Sequence, residues 1–278
     1  MASHLSCIGF EFGDRTEFET VVGRLAARGY SLGAADGVEV VRWEDPSGAR
    51  LVLGRRQGEY VDLLPSFAGS AGVNVARCRA LSDEVVLADV VDADGEQITT
   101  MAFELEQRRA LVGGWSGLAA VTAFGMETQF FADEDEFAAS PKSLLDPDDG
   151  PDEPAPAHAV EYGLRWPPRM AAESFISFGG FGDHPVAEAR LNGTVLRAAR
   201  RRNTETGRRF LAARVGCLGF EVDLVTEWDA APAPVVGSIA AVGAFLVASI
   251  DSLAFDEGPR AAMPRRRRPW MPHVFRRG

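Results

Sequence analysis

Residues 197–210 read RAARRRNTETGRRF, six arginines around an Asn-Thr-Glu-Thr-Gly turn. A turn of that composition joins two strands, so guanidinium groups from both strands stand near one another. A guanidinium presents a planar fork of N–H donors that matches phosphate or carboxylate oxygens. The candidate binding residues are therefore Arg200, Arg201, Arg202, Arg208 and Arg209, with Phe210 as the adjacent ring on which a base would stack. Single-stranded nucleic acids are held by such cations together with stacking aromatics, whereas an acidic protein surface needs only the cations.

Two structural explanations compete with a binding role. Lys142 is the only lysine of the chain, so any solvated strand face must draw its cations from arginine. Glu221, Asp223, Glu227 and Asp229 also follow within reach of cross-strand pairing, which would neutralise the arginines internally.

A second cationic stretch lies in the tail at 258–278, where Arg265, Arg266, Arg267 and Arg268 precede Trp270. Basic, aromatic segments of this kind dock into acidic grooves; the alternative is an unstructured terminus.

Other chemistry is thinly represented. Cys7, Cys78 and Cys217 are widely separated, with neither CxxC spacing nor a disulfide framework. His4, His158, His184 and His273 form no HxxxH or HxH pair. Ser116 has Gly114 before it but Leu118 two places after, which breaks the GxSxG pattern. The glycine-rich FGGFGDHP lacks the Lys-Ser/Thr of a phosphate loop, and Asp133–Glu136 lacks the ligand spacing of a calcium loop. No catalytic residue, metal or cofactor is assigned.

Composition narrows the partner. The formal charge is −11, divided as −14 over residues 1–150 and +3 over residues 151–278. An acidic first half repels nucleic acid and anionic lipid, which places a protein partner ahead of nucleic acid. The opening MASHLSCIGFEFGD has no basic stretch or apolar core of a signal peptide. Residues 230–250 carry no charge and approach membrane-spanning length, but Pro232, Pro234 and several small residues favour a buried β-hairpin. The expectation is a cytoplasmic, non-membrane protein.

The elements that would position the hairpin read as follows. Leu5–Phe12 alternates as a half-buried strand. The segment DRTEFETVVGRLAARG is a helix with a capping box at Asp14 and Glu17, an apolar stripe from Phe18 to Leu25, and Gly29 at its end. Strands VEVVRWED, ARLVLGRR and EYVDLLPSF follow, joined by Asp45–Gly48 and Gln57-Gly58. Four further strands reach residue 131, with Asp94-Gly95 as a turn.

The fold class is thus β-rich α+β: an acidic domain at 1–140 with one helix on an antiparallel sheet, and a Pro/Asp-rich linker at 141–158. A small OB-like β-barrel at 159–257 and the basic tail at 258–278 complete it.

The stretches RWEDPSGARLVL, FFADEDEFAAS, AAESFISFGGF, GTVLRAARRRNTETGRRF and GFEVDLV carry a resemblance. Together they resemble a group of bacterial, actinobacterial-like proteins with this two-part layout and no established activity. The resemblance implies the layout and assigns no functional residue. The first unit also resembles, weakly, half of a vicinal-oxygen-chelate module, which would imply metal ligands near His4 and Glu59.

The functional expectation is a non-enzymatic binding protein acting on a protein partner through its barrel and basic hairpin. Single-stranded nucleic-acid binding is the alternative, and an enzyme with an interdomain site is the third reading.

Overall fold

The structure is a computed structural model that describes residues 4–146, 154–164, 166–179, 184–229 and 233–255. The tail arginines Arg265–Arg268 and Trp270 lie outside the described residues, as does the acidic centre of the expected linker.

The N-terminal segment departs from its expected strand. Ser6–Ile8 forms a single 3-10 turn that ends at Gly9, whose φ of 77° reverses the chain. Leu5, Cys7, Ile8 and Phe10 are all buried, which no strand of period two would produce. Helix α1 (Arg15–Ala27) does follow its capping signal: Asp14 accepts from the Glu17 amide at 2.8 Å, and the Glu17 carboxylate accepts from the Gly13 amide at 2.8 Å. Gly29 serves close packing, since a Cβ there would lie 2.7 Å from Val41 Cγ1.

Strands β1 (Tyr30–Ala35), β2 (Val38–Glu44), β3 (Ala49–Arg56) and β4 (Glu59–Phe67) form an antiparallel meander in the order β1-β2-β3-β4. The last three were legible; β1 has no fully buried residue and gave no alternation.

The remaining strands do not extend this sheet. They are β5 (Val73–Ala80), β6 (Val85–Val91), β7 (Gln97–Leu105) and β8 (Trp115–Phe131), then β9 (Ser174–Ser177), β10 (Glu188–Arg202), β11 (Arg209–Cys217), β12 (Phe220–Glu227) and β13 (Ile239–Ser249). Short helices α2 (Glu134–Ala139) and α3 (Ala157–Glu161) separate the two groups. The acidic run at 133–136 is the start of α2, with Asp133 and Glu136 in a second capping box. All nine strands belong to one sheet, in the order β11-β12-β8-β5-β6-β7-β13-β10-β9.

Its axis is the β8–β13 ribbon, paired from Ile239↔Phe131 to Ser249↔Ala120. The other edge of β8 carries β5 near Ala119 and, parallel, β12 at Thr122–Phe124. The other edge of β13 carries β10 up to Phe245 and β7 at Val247–Ala248. With the β5–β6–β7 and β10–β11–β12 pairings, hydrogen bonds run in two five-strand circuits that share this ribbon.

The apolar run 230–250 therefore supplies one central strand in place of the expected hairpin, and no helix among the described residues is long and apolar enough to cross a membrane. The sheet also runs through the expected boundary at 141–158. Val75, Phe103 and Val121 share one buried core with Leu191, Val215, Leu224, Val242 and Leu246. Residues 1–140 thus do not hold a separate single sheet, because β8 finds its longest partner more than a hundred residues later.

A second core joins the two sheets. The N-terminal segment, α1 and the meander pack on Phe124, Phe210, Ala212, Val225 and Val247 from the outer side of the larger sheet. This places the N-terminal segment directly against the β10–β11 hairpin.

Candidate binding surface on the basic hairpin

In the hairpin, Arg200 stands opposite Leu211, Arg201 opposite Phe210, and Arg202 opposite Arg209. Directly opposed residues share a face and neighbours alternate. Arg200, Arg202 and Arg209 therefore project from one face, and Arg201 from the other together with Phe210.

The aromatic assignment changes here. Phe210 has no exposed surface and meets Phe67 edge-on, with ring centroids 6.2 Å apart. Burying such a ring contributes roughly 1.5–3 kcal/mol to the fold, and it leaves no face for a ligand. The ring that serves the arginines is Trp228, just past β12: the Arg200 guanidinium lies 4.3 Å and that of Arg209 5.6 Å from its centroid. Each such contact is worth about 0.5–1 kcal/mol at an exposed site.

The turn itself is an anchor. Asn203 is fully buried; its amide donates to the Ile8 carbonyl at 3.0 Å, and its side-chain oxygen accepts from the amides of Glu205 and Thr206. The Thr206 hydroxyl donates to the Gly9 carbonyl at 2.6 Å, while Thr204 donates its amide and hydroxyl to the buried carboxylate of Asp45. Glu205 receives Arg24 at 3.2 Å and Arg28, both from the C-terminal end of α1. The polar residues of the turn are consumed by the protein, and the arginines behind it are held in place.

The hairpin cations are partnered unevenly. Arg208 pairs with Glu11 at 2.5 Å, and Arg202 Nε donates to the Gly207 carbonyl at 2.9 Å. Among the described residues, Arg200, Arg201 and Arg209 make no ion pair. The expected neutralisation by Glu221 and Asp223 is directed elsewhere. These acids hold the buried Arg214, at 2.9 and 2.8 Å, whose guanidinium also donates to the carbonyls of Ser70 and Ala71. Of the six arginines only Arg197 approaches Asp223, at 3.7 Å.

Trp228, Arg24 and Arg28 were missed from the sequence. Trp228 sits in an acid-rich stretch, and the two helix arginines are 181 and 177 residues from Glu205, so no local signal joins them to the hairpin.

Other sites offer less chemistry. A cleft of about 330 Å³ is lined by Leu32, Arg42, Gln107, Asp251, Leu253 and Phe255. Among the described residues that line it, the one cation is Arg42, which is already held at 2.9 Å by the buried Glu106 that Arg50, Ser66 and Ser249 also contact.

Among the described residues, no three His, Cys, Asp or Glu side chains are placed to hold a metal ion. Of the pair implied by the chelate-module resemblance, His4 lies against Phe245 with centroids 4.1 Å apart, and Glu59 opens β4 at an exposed turn. All three cysteines are buried, which pushes Cys7 and Cys217 up to about 12 and Cys78 to about 11, so the thiolate nucleophile is scarce at neutral pH.

No family model, curated protein or solved structure matches the chain. The assignment of function therefore rests on the geometry of the hairpin.

Proposed function

We propose that this is a non-enzymatic, cytoplasmic binding protein whose basic hairpin takes an acidic surface of a protein partner. The OB-like barrel expected at 159–257 is read here as the β8, β10, β11, β12 and β13 circuit, which takes β8 from outside those bounds and from which the hairpin extends.

One observation carries the proposal: Arg200 and Arg209 are held on Trp228 without an ion pair among the described residues. Stacking fixes the plane of a guanidinium and leaves its N–H edge available, so less entropy is lost when a carboxylate binds. The same arrangement disfavours the nucleic-acid alternative. Phe210 is buried, and Trp228 is already occupied by arginines, so the stacking platform that single strands require is lacking at the hairpin.

The test is fluorescence anisotropy with a labelled oligoglutamate peptide and with labelled single-stranded DNA and RNA, each at low and physiological salt. The expected result is peptide binding that weakens with salt and is lost in the R200Q/R201Q/R202Q variant. Tighter binding of the oligonucleotides would replace the proposal with the nucleic-acid reading. No binding of any probe at low salt would reduce the hairpin to a solvated strand end.

A further inference from the structure

Among the described residues, the outer part of β10 is a bare strand edge. Asn192 is paired on one side with Ser174 of β9 and on the other with Ala241 of β13; Thr194 likewise joins Gly216 of β11 and Ile239 of β13. β9 and β11 thus share one edge of β10, and β13 occupies the opposite edge. Pairing with β13 stops at Thr194, and the 235–238 turn closes the position after it through Val195–Ser238 and Gly237–Val195 backbone bonds of 2.8 Å. From 196 to 202 no described residue pairs with that edge, while β11 continues in regular register along the other.

Exposed edges normally carry devices against pairing, such as proline, a bulge or a very short strand. After the irregularity at Val195/Arg197 this one has none: it is regular, free of proline, and exposed throughout. Its protection is charge alone, from Arg197, Arg200, Arg201 and Arg202. Positive charge on the strand opposes pairing with the same edge of a second copy, which would bring arginines against arginines. It favours a strand of opposite charge.

We infer that residues 196–202 receive an extended acidic segment of a partner protein as an added antiparallel strand. Its backbone would bond the bare edge and its carboxylates would meet the arginines. This rests on the proposed binding of an acidic protein and specifies how the binding is made. The exposed Leu196, Val235 and Val236 at the end capped by the 235–238 turn suit an apolar residue at one terminus of that segment.

In strand addition only alternate amides of the guest face the host edge. The experiment therefore uses the full-length chain and a labelled peptide alternating Glu and Val, with two analogues N-methylated at either the odd or the even amides. The expected result is that one analogue binds about tenfold more weakly than the parent, while the other stays within about twofold.

Equal binding by all three peptides, with loss in R200Q/R201Q/R202Q, would overturn strand addition and leave the electrostatic surface standing. Equal weakening of both analogues would also overturn it. No binding by the parent peptide or by oligoglutamate at low salt would overturn both proposals.

Discussion

The side-chain amide of Asn203 donates to the backbone carbonyl of Ile8 at 3.0 Å, a buried bond that spans 195 residues of sequence. Through it, the turn of the basic hairpin is part of the interior.

Asn203→Ala removes this donor and the acceptor for the Glu205 and Thr206 amides. Leaving a buried carbonyl unpaired costs about 1–3 kcal/mol, so urea unfolding should show a loss of about 2–3 kcal/mol. An unchanged midpoint would show that the turn is not anchored by this residue.

Gly9→Ala tests the other side of the same contact. The φ of 77° disfavours any side chain, and a Cβ would lie 3.0 Å from Asn203 Cβ and 3.2 Å from the Arg208 carbonyl. Strain at such a position is of order 1–3 kcal/mol, which should appear as a lower melting temperature with the fold retained by circular dichroism.

Trp228→Ala should separate binding from stability. The ring is half-buried and carries two cation–π contacts, so the loss in unfolding free energy should be about 1–2 kcal/mol. Affinity for oligoglutamate should fall several-fold as Arg200 and Arg209 lose their fixed planes. Equal affinity in the variant would remove the stack from the binding account.

Arg214 and Asp223 form a buried pair at 2.8 Å, and Asp223 also accepts from the Ser70 amide at 2.6 Å. Arg214→Met leaves the buried carboxylate with only the Ser70 amide and the more distant Arg197 at 3.7 Å, and should cost about 3 kcal/mol, the lower end of the range for breaking a buried pair. The Arg214→Met/Asp223→Leu double variant should recover much of that loss, measured as a thermodynamic cycle by denaturant unfolding.

Glu104 supplies a pH dependence. Burial pushes its carboxyl up to about 7, with Arg108 opposing and Glu84 and Asp62 adding to the rise. Burial also works against the charge of neighbouring Asp62, but Arg108 and Arg109 outweigh it and hold that carboxyl below its ordinary value.

Between the ordinary value of 4.5 and about 7, the folded chain holds the Glu104 proton more tightly than the unfolded chain does. Its contribution to stability therefore declines as pH rises through that window and is level above it. Glu104→Gln should be more stable than the parent at pH 8 by order 1–3 kcal/mol, with little advantage near pH 4.5. Parallel unfolding curves at both pH values check this; a constant difference would remove Glu104 as the titrating group.

What was legible in the sequence was what is decided locally. Helix α1 announced itself because Asp14 caps the Glu17 amide and Glu17 reaches back to the Gly13 amide, all within one turn. β2, β3 and β4 were delimited by their own turn residues. The Asn-Thr-Glu-Thr-Gly turn also identified the segments on either side of it as paired strands, but a turn does not state which face of the hairpin is covered. Phe210 and Leu211 are consecutive and both buried, because the N-terminal segment and the meander cover a side that an isolated hairpin would leave wet. The membership of β5–β8 in the second sheet depends on partners such as Val242 and Leu246, which no local pattern can name. Trp228 was passed over because its role is defined by Arg200 on another strand.

The β8–β13 ribbon has a consequence for how the chain reaches this state. Both five-strand circuits close through β13, so neither is complete until residues 239–249 are available, and β8 must wait with its longest edge unpaired. Strands β5–β8 therefore cannot mature first and hand a finished unit to the later ones, whereas the β1–β4 meander pairs only within itself. During synthesis the ribosome exposes an apolar β8 more than a hundred residues before its mate arrives, and that interval is when the chain is most open to mispairing and to chaperone capture.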